Sequence, residues 1–194
     1  MSDYELSLEL FDLAAEAAAL LEEDTSVAHY TDQILAKARS PEDKLPGMYV
    51  ATELLCNTGL FNDAIASAVK ILETLEESPP RRWGDPDLAV DISIINARLK
   101  KITDEDIINA GEVDPSNAKR FVTLMKIYKL LGHCFHFTEQ SFFGANALSM
   151  VHLTLENGLC AMSPIAFANY GEFLASIGEL DLGVRLGMFC LLPE

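Results

Sequence analysis

The sequence predicts an all-α protein, an α-α superhelix of antiparallel helix hairpins, and three observations carry that prediction. Leu55-Cys-Asn-Thr-Gly59-Leu-Phe-Asn-Asp-Ala64 and Leu174-Ala-Ser-Ile-Gly178-Glu-Leu-Asp-Leu-Gly183 share one pattern, a leucine four residues before a glycine and a small residue five after it. Apolar residues recur at three-to-four spacing along most of the chain. No stretch sustains the two-residue alternation of a strand. In the shared pattern the glycine takes the left-handed conformation that closes one helix, and Asn62 or Asp181 caps or charges the start of the next. Ala64 and Gly183 then let the two antiparallel helices approach closely.

Local signals place the elements. Tyr4 to Glu23 reads as an amphipathic helix with Leu6, Leu10, Leu13, Ala17 and Leu20 on its apolar side. Asp24-Thr25-Ser26 reads as a turn and cap before a helix from Val27 to Ala38. In Ser40-Pro41-Glu42-Asp43 the serine caps, the proline opens and the acids sit at the positive end of a helix. That helix is expected to reach Thr58, with Pro46-Gly47 delaying or bending its first turns. A fourth helix is expected from Asn62 to Glu76. Ser78 to Pro86 holds three prolines and a glycine in nine residues and forms an irregular connector.

Helical periodicity resumes from Leu88 to Lys101, and Thr103-Asp-Glu-Asp opens a short turn ending near Gly111. Asp114-Pro115-Ser116 starts a helix through Leu131. The next runs from Thr138 to Asn157 and is closed by Gly158. Ser163-Pro164 starts one that ends at Gly178, and the last spans Leu180 to Leu192. This makes about ten helices in pairs. Residues 1–77 hold the first hairpins, 78–86 the connector and 87–194 the second helical segment, together one solenoid domain. The end of the chain reads as an uncapped interior repeat, covered by a partner or continued in a longer protein.

Composition narrows the function classes. The 194 residues carry 30 Asp plus Glu against 14 Lys plus Arg, a formal charge of −16, which disfavours phosphate backbones and anionic lipid surfaces as partners. Cys56, Cys134, Cys160 and Cys190 are widely separated and form no CxxC pair, so they read as buried thiols of a reducing compartment. The acidic start Met-Ser-Asp-Tyr-Glu is unlike a signal peptide, and charges interrupt every apolar stretch. A cytoplasmic chain without nucleic-acid or membrane partners is expected.

Catalytic motifs are missing. No Gly-x-Ser-x-Gly elbow, GxxxxGK[ST] or GxGxxG occurs. The acids Glu22, Glu23 and Asp24, like Asp104, Glu105 and Asp106, read as solvated helix-end charge. His133, His136 and Glu139 stand at three-residue spacing that one helix face could offer a metal. The cluster straddles the junction after Gly132, however, where a continuous helix is not expected, and the fourth ligand would be His152 or Cys134. Arg81, Arg82 and Trp83 form one basic and aromatic island. Exposed, they would anchor a partner; otherwise Trp83 folds back to plug the gap between helix pairs, the reading preferred from sequence. Phe142-Phe143-Gly144-Ala145, with Met150 and Leu153, reads as a core stripe with a close helix contact.

Several blocks carry a family resemblance: Leu21 to Ala28 followed by Ile34 to Pro41, Leu54 to Ala64, the Pro79-Pro80 break, and Met150-Val-His-Leu-Thr-Leu-Glu-Asn-Gly158. Ser163 to Gly171 and Gly178 to Gly187 follow in the same order. From Ser7 to Leu192 the chain resembles the tetratricopeptide-like helical region of large multidomain signalling ATPases. Those proteins join it to a serine/threonine kinase-like domain, an AAA/STAND-type ATPase and often sensor, histidine kinase or cyclase modules. The resemblance implies a tetratricopeptide-like solenoid that transmits contacts to a neighbouring ATPase. It carries over no catalytic residue, because the family's catalytic residues lie in modules this chain lacks.

The expectation is therefore a non-catalytic scaffold, needing no cofactor, that binds a protein partner or an adjoining ATPase module. Its architectural residues are Gly59, Ala64, Gly158, Gly178 and Gly183. Two alternatives stand beside it: a small metal-dependent enzyme using His133, His136 and Glu139, and a helical protein that self-associates through its C-terminal helix.

Overall fold

Helix caps written into the sequence set much of the architecture, which a computed structural model describes for residues 3–21, 23–109, 111 and 115–191, with side chains left out at 115–117, 190 and 191. Among these residues there are ten α-helices and no strand. The chain divides into two compact units, Met1–Pro79 and Pro80–Glu194, and the division falls inside the proline-rich connector.

The first unit contains α1 (Asp3–Leu20), α2 (Asp24–Lys37), α3 (Pro41–Asn57) and α4 (Phe61–Thr74), each packed on the next, with α1 also reaching α3. Ser40 accepts from the Asp43 amide at 3.1 Å while the Asp43 carboxylate accepts from the Ser40 amide, a reciprocal box that fixes the start of α3. Pro46 does not interrupt that helix. Gly47 beside it lets Ile34 of α2 pack close, since a Cβ there would stand 2.9 Å from the Ile34 side chain. Asp24, Thr25 and Ser26 lie inside α2 instead of forming a turn.

The core of this unit reverses the expectation for α1. Ala15 and Ala18 are buried with Val27, Ile34 and Val50, and Phe11 and Leu8 pack against them. Leu6, Leu10, Leu13 and Leu20 point outward instead. Small alanines let α1 lie close to its neighbours, which leucine at the same positions would prevent.

The second unit contains α5 (Pro86–Leu99), α6 (Asp104–Ile108), α7 (Pro115–Phe137), α8 (Phe143–Asn157), α9 (Ser163–Ser176) and α10 (Leu180–Gly187), followed by a 3₁₀ turn over Met188–Leu191. Helices α7 to α10 pack in sequence. Their core holds Phe121, Leu124, Leu131, Met150, Phe167 and Leu174. Side-chain bonds tie α5 to the others. Tyr170 Oη donates to Asn96 Oδ1 at 2.8 Å in the interior. Arg185 of α10 donates to the carbonyls of Leu99 and Ile102, each at 2.7 Å, satisfying acceptors at the end of α5 that the helix leaves open.

Several boundaries differ from expectation. Helix α7 continues to Phe137 through Gly132, which serves as a contact point: a Cβ there would stand 3.0 Å from Asn146 Nδ2. That nitrogen donates to the Tyr128 carbonyl at 2.8 Å. Helix α8 starts at Phe143, after a 3₁₀ turn over Gln140–Phe142. Helix α9 opens at Ser163 as expected, and the Ser163 Oγ accepts from the Cys160 amide at 3.0 Å. The expected starting Asp114 of α7, the Glu22 carboxylate and the expected terminus at Leu192 lie outside the described residues. No described helix is long and apolar enough to cross a membrane.

Candidate docking groove

The two copies of the repeated pattern fold alike. Gly59 has φ +79° and Gly178 φ +92°. The Leu60 amide bonds the Leu55 carbonyl at 2.9 Å, and the Glu179 amide bonds the Leu174 carbonyl at 2.9 Å, the six-to-one closure that a left-handed residue permits. The next residues share one conformation, Leu60 at φ −82°, ψ 56° and Glu179 at φ −81°, ψ 59°. These two residues are the N-caps of α4 and α10 and offer no side-chain cap bond, so Asn62 and Asp181 do not cap. Asp181 contributes only its charge, in the first turn. Gly158 has φ +99° and closes α8 through its amide to Thr154 O at 3.0 Å.

Close approach follows the turns. A Cβ on Gly183 would stand 2.8 Å from the Gly171 carbonyl oxygen, and one on Gly171 would stand 2.6 Å from that of Gly183. Backbone meets backbone where α9 and α10 cross. In the first unit the matching positions are the fully buried Ala64 and Thr52, whose Oγ1 lies 2.6 Å from Ser67 Oγ. Gly171 and Thr52 each stand seven residues before the turn glycine, and sequence reading missed the Gly171 contact. Aligning the two copies further upstream would have found it.

The connector residues help build a concavity within the second unit. Its volume is about 380 Å³, and its walls include Trp83, His136, Phe143, Gly144, Phe173 and Ile177, with Gln140, Ser141, Glu172 and Ser176 supplying polar groups. Backbone contacts hold Trp83 in place. Its amide donates to the Ser141 carbonyl at 2.7 Å, and Gly84 follows with φ +98°, turning the chain into α5. Arg82 Nε donates to Ser141 Oγ at 3.3 Å, and Arg81 pairs with Asp91 at 2.5 Å.

The indole ring meets Phe173 edge-on, with centroids 5.4 Å apart, yet remains 53% exposed. It is therefore no plug. Phe173 itself is set by the absence of a side chain at Gly144, where a Cβ would lie 2.3 Å from the ring. The close contact expected at Gly144 thus lies against α9 and shapes the groove wall. An aromatic floor with polar groups at its rim suits an apolar or aromatic side chain whose peptide backbone bonds the rim. Phe173 and Glu172, inside a helix with no motif around them, gave no sequence signal.

The histidine cluster stays apart from metal geometry. His133 and His136 lie on one continuous helix and pack edge-on against Phe137, and His136 also meets Phe143. Glu139 follows beyond the helix end, Cys134 is buried and His152 is exposed. Among the described residues no three His, Cys, Asp or Glu side chains are grouped to hold a metal ion. Two of the helix-end acids have structural partners. Asp106 is held below its ordinary pKa by the Thr103 amide and hydroxyl, and Asp104 pairs with Arg185 at 2.6 Å. Asp43 is likewise held low, first by the Tyr4 hydroxyl and then by the Arg39 and Ser40 amides. Cys56 is buried like Cys134, and Cys160 is half-buried. No protein-family model, no curated protein and no solved structure shows a significant match to the chain.

Proposed function

We propose that this chain is a non-catalytic, cytoplasmic helical scaffold whose hairpins form a tetratricopeptide-like superhelix and whose Trp83 groove docks a protein segment. The observation that carries the reading is Trp83 itself, more than half exposed yet fixed by Ser141 and Phe173 at the mouth of an aromatic groove. Burying an aromatic ring of this kind contributes a large share of the energy at protein interfaces. Arg81 and Arg82 flank it as secondary contacts. The resemblance to signalling ATPases makes the natural occupant a segment of a partner or of an adjoining ATPase module; any ATPase or kinase activity belongs to such modules.

The test is selection of binding peptides from a random library, followed by calorimetry of the strongest binder. Trp83→Ala is expected to weaken that binder by about 2 kcal/mol or more, roughly thirtyfold in Kd, at unchanged melting temperature. Selected peptides indifferent to Trp83→Ala would refute the groove as the docking site.

A second reading, self-association through α10, is favoured by Leu180, Val184 and Met188. They form one outward row exposed by 60, 63 and 61%. Its sign is a sedimentation coefficient that rises with protein concentration and is reset by Val184→Glu.

A further inference from the structure

Helix α1 carries more apolar surface than its core needs. Leu6, Leu10, Leu13 and Leu20 are exposed by 44, 58, 57 and 86%. Together with the exposed Ala17 they advance by four, three, four and three residues. This is the heptad spacing of a coiled-coil seam, which holds one partner helix in register. The inward face consists of other residues, chiefly Ala15, Ala18 and Phe11. At about 100° per residue the two sets lie on opposite sides of the helix. A contiguous apolar row on a face already free of core duties marks an interaction surface.

Charge selects the occupant. Glu5, Glu9 and Glu16 are exposed along one edge of the row, whereas the other edge carries Ser7 and Ala14, with the exposed Asp3 at the start of the helix. An antiparallel second copy docked along this row would set acid edge against acid edge, and the formal charge of −16 per chain adds to that repulsion. An anionic membrane surface is repelled for the same reason. A helix whose apolar stripe is edged by lysine or arginine satisfies both the row and its acidic border.

We infer that the outer row of α1 is a docking seam for a basic amphipathic helix of a partner protein. The inference rests on the reading of the chain as a protein-binding scaffold and assigns it a second docking surface, in the first unit.

Three synthetic peptides of about three heptads test it on the intact chain. One has leucine at the seam and lysine at both edges, one the same leucines with glutamate edges, and one the lysine peptide's composition scrambled so that no stripe remains. The first is expected to bind about tenfold or more tighter than either other. Leu10→Glu with Leu13→Glu adds negative charge, so a purely electrostatic contact would tighten; docking on the row predicts weakening by about a hundredfold. Glu9→Lys with Glu16→Lys, at solvent-exposed positions, is expected to reverse the preference toward the glutamate-edged peptide.

Equal binding of the scrambled lysine peptide would overturn the inference. So would a dimer dispersed by Leu10→Glu with Leu13→Glu, which would give the row to a second copy. Trp83→Ala is expected to leave the lysine-edged peptide bound. Loss of this binding with groove peptides still captured overturns only the α1 seam, whereas failure of both overturns the scaffold reading.

Discussion

Asp43 gathers three hydrogen bonds on one carboxylate. It accepts from the Tyr4 hydroxyl at 2.6 Å, from the Arg39 amide and from the Ser40 amide, so it joins the start of α1 to the start of α3. These donors favour the ionised form and lower its pKa below the usual 3.8. A lowered folded-state pKa contributes stability that is present above the unfolded value and lost as pH falls through the folded one. Asp43→Asn is therefore expected to melt below the wild-type protein at about pH 7, and the gap is expected to narrow as pH falls below 3.8. Melting curves across that range check it; a gap independent of pH would show that the carboxylate's charge is irrelevant. Glu76 makes a different case. It is the non-glycine residue found at positive φ, 57°, and its neighbour Glu77 bonds back to Leu72 O at 2.9 Å. This is the closure seen after Gly59 and Gly178, made with the wrong residue. Glu76→Gly is expected to stabilise the first unit by about 0.5–1 kcal/mol in urea titration, because the strain removed exceeds the entropy glycine adds to the unfolded chain.

At the scale of elements, the hairpins α3–α4 and α9–α10 show what could be read in advance. Their turns were legible because a left-handed closure demands glycine, and glycine is visible in sequence. The Ser40 and Thr103 caps were legible for the same kind of reason, since a cap requires a hydroxyl three residues before a suitable acceptor. Packing partners were not legible in this way. Gly183 was visible as a small residue, but that it meets Gly171 depends on the crossing of two helices. Gly132 looked like a terminator and is instead a contact inside α7, because Asn146 fills the space its side chain would occupy. The α1 leucines looked like core by period alone, yet period cannot say which of two apolar faces turns inward. The groove was half legible: Trp83 stood out as an isolated aromatic, whereas Phe173 and Gly144 acquire meaning only where α8 and α9 meet. These contacts predict an asymmetry between the hairpins. Gly183→Ala must push its Cβ against the Gly171 carbonyl and is expected to cost about 1–3 kcal/mol. Ala64→Gly removes a methyl from a site built for it and loses helix propensity, about 1 kcal/mol plus a small packing loss. Urea titrations of both variants decide this, and a neutral Gly183→Ala would mean that α9 and α10 separate at no cost.

Each unit has its own core, and each presents apolar side chains in an arrangement its own packing does not require: the α1 row in the first and the Trp83 groove in the second. The formal charge of −16 places both in an acidic setting, so cationic segments should associate faster than neutral ones, with rates that fall as salt is added. The chain has a single tryptophan, which makes the groove separately observable. The most direct measurement is the ¹⁵N–¹H correlation spectrum of the labelled chain, followed at its one indole cross-peak while a selected peptide is added. Docking in the Trp83 groove moves this peak saturably, with the Kd found by calorimetry. An indole peak that stays in place while backbone resonances elsewhere shift would contradict it.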